Sequence, residues 1–100
     1  MEKVSWSSEA ETNLSEIGDY IAIDNPDAAW RTVCEIVNHI DLLENFPKLG
    51  RPYRVENGKQ IYETPCGNYR IFYIIRKPDN DVYIIKIWHG ARQEPDFSQI

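Results

Sequence analysis

The dipeptide Asn25-Pro26, set between two stretches of helical periodicity, constrains this chain more than any other feature. Proline cannot continue a helix through its missing N–H, but it fits the first helical position, and asparagine is a favoured residue for capping the turn that follows. The pair therefore ends one helix and starts another, with Asp27 at the positive end of the second dipole. So short a connection makes the two helices an antiparallel hairpin.

Each helix carries one apolar stripe. Ala10, Leu14, Ile17 and Ile21 recur at helical spacing, with Glu9, Asn13, Glu16 and Asp19 off the stripe. Ser8 and Glu11 have the spacing of a capping box at the start, and the helix is expected to stop near Asp24. Ala29, Val33, Ile36, Val37 and Ile40 mark the second helix, expected to end near Asn45. Before the hairpin, Lys3–Trp6 reads as a short strand. After it, residues 46–52 read as a loop by their Pro and Gly content.

Three further strands are expected: Lys59–Thr64, Tyr69–Arg76 and Val82–His89, with turns at 65–68 and 77–81. Gly90 to Ile100 reads as a polar tail around Pro95. The order is β-α-α-β-β-β. Alternating the direction of each element sets the first strand antiparallel to the second and the fourth. The expected fold is α+β in two layers, a helical hairpin on a mostly antiparallel four-stranded sheet whose other face meets water. Leu14, Ile17, Ile21, Val33, Val37, Ile40, Ile71, Tyr73, Ile85 and Ile87 are expected between the layers.

One hundred residues, 42% of them hydrophobic, fit a single domain over 1–100. The twelve aromatic residues argue against disorder. No apolar run approaches the roughly 18 residues of a membrane span, and the N-terminus lacks a secretory h-region, so a cytoplasmic protein without membrane contact is expected. Cys34 and Cys66 lie far apart, neither in a CxxC pair. They read as reduced thiols, with Cys34 buried on a helix, and a bridge between them is not required. The net charge of -5 is unevenly spread: residues 1–47 carry ten acidic and two basic side chains, residues 48–100 six acidic and nine basic. Two surfaces with different partners are expected.

The sequence offers no metal-ligand spacing, nucleotide-cradling loop or nucleophile elbow, so neither a metal nor another cofactor is expected. The remaining polar candidates are Arg51, Glu63, Arg70, Lys86, His89 and Arg92. Strict alternation puts Arg70 on one face with Phe72 and Ile74. It places Lys86 with Val82, Ile84 and Trp88, and His89 with Tyr83, Ile85 and Ile87. Arg70 admits two readings, a bidentate grip on a phosphate or carboxylate and a cross-strand ion pair with Glu63. His89 is either a general base or a hydrogen-bonded residue at a strand end. His39 is a surface or stripe-flanking residue, and Cys66 has no adjacent cation to make its thiol reactive.

Asn25-Pro26-Asp27-Ala28-Ala29-Trp30-Arg31, Phe46-Pro47-Lys48-Leu49-Gly50-Arg51-Pro52, Gly67-Asn68-Tyr69-Arg70-Ile71-Phe72-Tyr73 and Trp88-His89-Gly90-Ala91-Arg92 occur in that order. Together they resemble the ParE/RelE superfamily of toxins from bacterial type II toxin–antitoxin modules, nearest its ParE-like plasmid stabilisation branch. The resemblance implies growth inhibition, neutralised by a cognate ParD- or RelB-like antitoxin in a hetero-oligomer. ParE-like members inhibit DNA gyrase, whereas RelE-like members cut mRNA on the ribosome. Arg70 matches the arginine that RelE-like enzymes place on the scissile phosphate. Arg92 matches a basic residue near the C-terminus in both branches, and His89 resembles a histidine at that strand end. On this resemblance Arg51, Arg70, His89 and Arg92 are the expected target-binding residues, and no residue is assigned as catalytic.

The departures favour the gyrase branch. Where RelE-type enzymes carry paired lysines this chain reads Gln60-Ile61-Tyr62-Glu63, and the C-terminal tyrosine is missing from the tail. A net of -5 is also unsuited to work among RNA phosphates. A nuclease would have to use Glu63, Arg70, His89 and Arg92, with Glu63 imitating the acid–base residue of YoeB-like enzymes. An inactive, interaction-only member is the third reading.

Overall fold

The computed structural model describes residues 3–98 and 100. Its elements are β1 (Val4–Trp6), α1 (Ser8–Asp24), α2 (Pro26–Leu42), β2 (Arg51–Glu56), β3 (Lys59–Cys66), β4 (Tyr69–Arg76) and β5 (Asp81–His89). The strands form one sheet in the order β1-β5-β4-β3-β2. The helical hairpin packs on one face, giving the expected two-layer α+β fold with five strands rather than four.

The extra strand is β2, which takes Arg51 and Pro52 out of the expected loop. It pairs antiparallel with β3 through Asn57-Gly58, where both residues adopt positive φ (51° and 77°). Its apolar signal is weak, because it is an edge strand with both Arg51 and Arg54 exposed. One more strand reverses every later direction. This is why β1 lies parallel to β5, Val4 opposite Val82, and not antiparallel to it. Nor does β1 pair with β3, since β5 and β4 stand between them.

Asn25 alone joins the helices. Its Oδ1 accepts from Ala28 N–H at 3.0 Å while its own N–H closes α1 on Ile21 O at 2.9 Å. Gly18 lets the helices approach, since a Cβ there would lie 3.2 Å from Val33 Cγ2. The first cap is Ser7, one residue before the expected box. Ser7 Oγ accepts from Ala10 N–H and donates to Ile85 O, and its N–H donates to Ile84 O. Anchoring to β5 decides the start of α1, and Glu11 then falls one place beyond the box position. The second helix ends at Leu42, with a turn through Asn45.

Between hairpin and sheet, Ala10, Ile36, Ile40, Leu43, Ile71, Tyr73, Val82, Ile84 and Ile87 are buried. Leu14 and Ile17, half-buried, pack against them, whereas Ile21, Val33 and Val37, equally half-buried, are not part of that cluster. Ile21 lies near the hairpin tip, which is uncovered: Tyr20, Ile23 and Trp30 there are more than two-thirds exposed (77%, 79% and 71%). Val33 stands against Gly18 in the seam between the helices, and Val37 lies about three turns from the tip.

Ile85 is buried on the opposite face. A β-bulge between Phe72 and Tyr73 sets Phe72 against Lys86 and Tyr73 against Ile84, leaving Ile85 as the extra residue. The alternation expected for this strand therefore breaks. Val82, Ile84 and Ile87 face the helices, while Ile85 joins Ile61, Phe72, Ile74 and Phe97 on the far side.

That far side is not open to water, as the expected polar tail would have left it. Phe97 is 1% exposed, with ring centroids 5.0 Å from Phe72 and 5.9 Å from Tyr53. Trp88 Nε1 donates to Gln93 O at 2.7 Å and Asn57 Nδ2 donates to Ile100 O at 2.7 Å, so the tail is strapped along the sheet.

Candidate functional site

Arg70 and Glu63 stand diagonally on neighbouring strands on the far side of the sheet, Glu63 opposite Phe72 and Arg70 opposite Pro65, and their ion pair forms. Of the two readings of Arg70, the structure takes the cross-strand pair and adds to it. Glu94, from the strap, receives Arg70 Nη1 at 2.8 Å and Nη2 at 3.3 Å, and accepts the Tyr53 hydroxyl as well. The guanidinium also sits 5.0 Å from the Phe72 ring centroid and 5.5 Å from that of Tyr53. The hydrogen bond to Glu94, reinforced by that to Glu63, raises the Arg70 pKa further above its already high value. The hydrogen bonds from Arg70 and Tyr53 hold the Glu94 carboxyl down at about 2.

Arg51 approaches the same Glu63 at 3.8 Å but its side chain is 79% exposed. Two guanidinium groups thus meet two carboxylates, and the cluster is electrically neutral. Lys86 belongs to a separate contact. It is 8% exposed, paired with Glu9 of α1, and lies over the rings of Trp88 and Phe97. It ties the helix to the sheet.

His89 and Arg92 lie elsewhere. With Tyr69, Ile87, Asn13, Glu16, Ile17, Tyr20 and Ile21 they line a groove of about 490 Å³ between α1 and the end of the sheet. His89 packs edge-on against Tyr69, and its Nδ1 accepts from Ala91 N–H at 3.1 Å. Arg92 lies 4.0 Å over the Trp88 ring and makes no ion pair among the described residues. The sheet therefore separates the expected set, with Arg51, Glu63 and Arg70 on one face and His89 on the other. Arg92 stands at the rim.

Two members of the Arg70 cluster escaped the sequence. Glu94 lies in the expected polar tail, and Tyr53 in a segment with no expected strand. The one available signal was Phe97, a lone large apolar residue amid polar neighbours, which needs something to pack on.

His39 Nε2 and Thr64 Oγ1 share a hydrogen bond of 2.8 Å between helix and sheet, so this histidine has a packing role. Both thiols are free, and Cys34 is half-buried rather than buried. Burial, then the nearby Glu35, raises the Cys66 pKa. Among the described residues no group of three or more His, Cys, Asp or Glu is placed to hold a metal, and no helix is long and apolar enough to cross a membrane.

The fold recurs in solved structures. The chromosomal ParDE TA system from P. aeruginosa matches with a TM-score of 0.71 at 22% identity, over 89% of this chain and 96% of that one. The toxin–antitoxin complex RelBE2 from Mycobacterium tuberculosis matches with a TM-score of 0.66 at 20% identity, over 88% and 96%. In sequence, the candidate toxin Y4kP of Sinorhizobium fredii is 36% identical over 93 residues, 93% of each chain. Toxin RelE2 of Caulobacter vibrioides is 32% identical over 92 residues, 92% of this chain and 99% of that one. Residues 4–94 match the family described as ParE toxin of type II toxin-antitoxin system, parDE, and the chain belongs to that ParE/RelE family of toxins.

Proposed function

We propose that this toxin acts as a single cytoplasmic domain that arrests growth by binding DNA gyrase, and that a cognate antitoxin of the ParD or RelB type neutralises it in a hetero-oligomer. The observation that carries this reading is the internal neutralisation of Arg70. Cleaving a phosphodiester needs a cation free for the charge that develops on phosphorus, together with an acid and a base in reach. Here Glu63 and Glu94 saturate Arg70, and His89 stands on the other face of the sheet. The net charge of -5 opposes approach to a polyanion. His89 and Arg92 face the groove beside α1, where the half-buried Ile17 and Ile21 offer apolar area to a protein. These two residues serve the target together with the exposed Arg51, and Arg70 chiefly holds the sheet and strap.

One observation favours the ribosome-dependent nuclease as second reading. Without Glu94, the cluster of Glu63, Arg70 and Arg51 would keep a carboxylate beside two cations. The test sets purified toxin against gyrase supercoiling of relaxed plasmid and against mRNA on programmed ribosomes, with and without the antitoxin. Loss of supercoiling with intact mRNA, reversed by the antitoxin, is the expected result. Cut mRNA that Glu63→Gln preserves, with gyrase unaffected, would give the nuclease reading the place.

A further inference from the structure

Four of the eleven basic residues are spent in ion pairs: Arg51, Arg54, Arg70 and Lys86. Another four gather at one place. Lys48, Lys59, Arg76 and Lys77 line a single pocket of about 430 Å³, and none of them meets a carboxylate within 4.0 Å among the described residues. Glu56 stands across the strand from Lys59 but pairs with Arg54 at 3.6 Å. Asp81 stands across from Arg76, whose guanidinium instead lies 4.4 Å over the Tyr83 ring, and Lys77 Nζ bonds to Asn80 Oδ1. All four cations are exposed.

Tyr62, Ile74 and Ile75 supply apolar area between them, beside Gly58 and Gln60, so the pocket wraps the end of the sheet. The pocket continues through Lys48 and Ile75 into a second one of about 480 Å³, where Phe46 is 60% and Leu49 48% exposed. Large side chains left open beside unpaired cations are unusual on a surface that has no partner. The patch also stands apart electrically. Removing its four charges from the net of -5 leaves -9 on the rest of the chain.

We propose that this end of the sheet docks a protein segment that alternates carboxylates with apolar side chains. The cations take the carboxylates, and Leu49, Phe46 and Ile75 take the apolar groups. The chemistry favours a peptide over a nucleic acid for two reasons. A peptide supplies the aliphatic groups that the Leu49–Ile75 surface needs. A nucleic-acid backbone carries its charge along its whole length, and beyond the patch it meets a chain whose remaining charge sums to -9, which a short segment avoids. The surface does not depend on which enzyme the toxin arrests, because it lies outside both the Arg70 cluster and the His89 groove.

The test titrates isotope-labelled toxin with a peptide of alternating glutamate and leucine, with its glutamine counterpart, and with oligothymidylate, reading backbone amide shifts and fluorescence anisotropy. Shifts centred on Lys48, Leu49, Lys59, Ile75 and Lys77 with the acidic peptide, and little response to the glutamine peptide, are expected. The double variant Lys59→Glu, Lys77→Glu should weaken acidic-peptide binding about tenfold or more and flatten its salt dependence. It should leave the fold intact, since both side chains are exposed. Preferential shifts with oligothymidylate, shifts centred on other residues, equal binding of the two peptides, or no binding at all would each overturn the proposal.

Discussion

Replacing Arg70 by Gln should destabilise the domain more than replacing its partner Glu63 by Gln, and the difference follows from who is left unpaired. Arg70 has two carboxylates, so without Glu63 it keeps Glu94. Glu63 has one close cation, and its side chain is only 11% exposed. Without Arg70 it retains Arg51 at 3.8 Å, on a side chain 79% exposed and free to wander. Breaking a fully buried pair from one side costs about 3–5 kcal/mol. Because both groups keep some contact with water and Arg51 supplies part of the lost field, we expect about 2–3 kcal/mol for Arg70→Gln. Glu63→Gln should cost about 1 kcal/mol, and the double variant should recover at least about 1 kcal/mol relative to additivity. Against a total stability of about 5–15 kcal/mol, Arg70→Gln should lower the urea midpoint by about 1–2 M. Equilibrium unfolding of the four proteins of this cycle, followed by far-UV circular dichroism, gives the numbers. A cost below about 0.5 kcal/mol for Arg70→Gln, or strict additivity, would refute the reasoning. The result also governs how toxicity data are read, because a silent Arg70 variant means nothing until its folded fraction is known.

Gly50→Ala should cost about 2–3 kcal/mol in thermal unfolding, since the new Cβ would stand 2.7 Å from the Tyr73 hydroxyl and 2.8 Å from Glu63 O. Tyr73→Phe should cost about 1–3 kcal/mol, because the buried hydroxyl accepts from Gly50 N–H and donates to Pro47 O, both at 2.8 Å. Phe97→Ala should cost about 3 kcal/mol and speed amide exchange along residues 93–98 more than in the α1–α2 hairpin, since the strap loses its largest buried side chain. Glu94 binds its proton more weakly folded (about 2) than unfolded (4.5), so its contribution is complete above 4.5 and is lost as pH falls towards 2. Trp88 fluorescence, coupled to the strap through Gln93, should report an acid step over that interval that Glu94→Gln removes.

The parts of this fold that were legible are those decided by neighbours in sequence. Asn25-Pro26 places the hairpin because capping is settled within four residues, and the central β4 is dense enough in Ile, Phe and Tyr to declare itself. What was missed depends on distant partners. Edge strand β2 has no apolar face of its own and exists by pairing with β3, and its omission inverted the direction of β1 relative to β5. The bulge at Ile85 leaves no local mark, because isoleucine suits either face of a strand, yet it moves one side chain through the sheet.

The candidate site failed to show itself for the same reason, with a larger consequence. Arg70 and Glu63 were legible as a possible pair, since residues seven apart on one hairpin meet across it. Glu94 is 24 residues from Arg70, and it arrives with a strap whose largest anchor is Phe97, three positions on, seated on the apolar surface of Phe72 and Tyr53. A packing event thus determines an electrostatic one. With the strap docked, Arg70 is a saturated structural cation. With Phe97 unseated, Glu94 loses the anchor that fixes it, and Arg70 and Arg51 would face solvent against Glu63 alone. Loss of one aromatic ring should therefore change what the far face attracts. Anion binding to the Phe97→Ala variant, absent in the parent and measured with pyrophosphate, is the expected sign. Equal affinity in both proteins would mean that Glu94 does not screen Arg70, and would remove the chief electrostatic argument against phosphate recognition on this face.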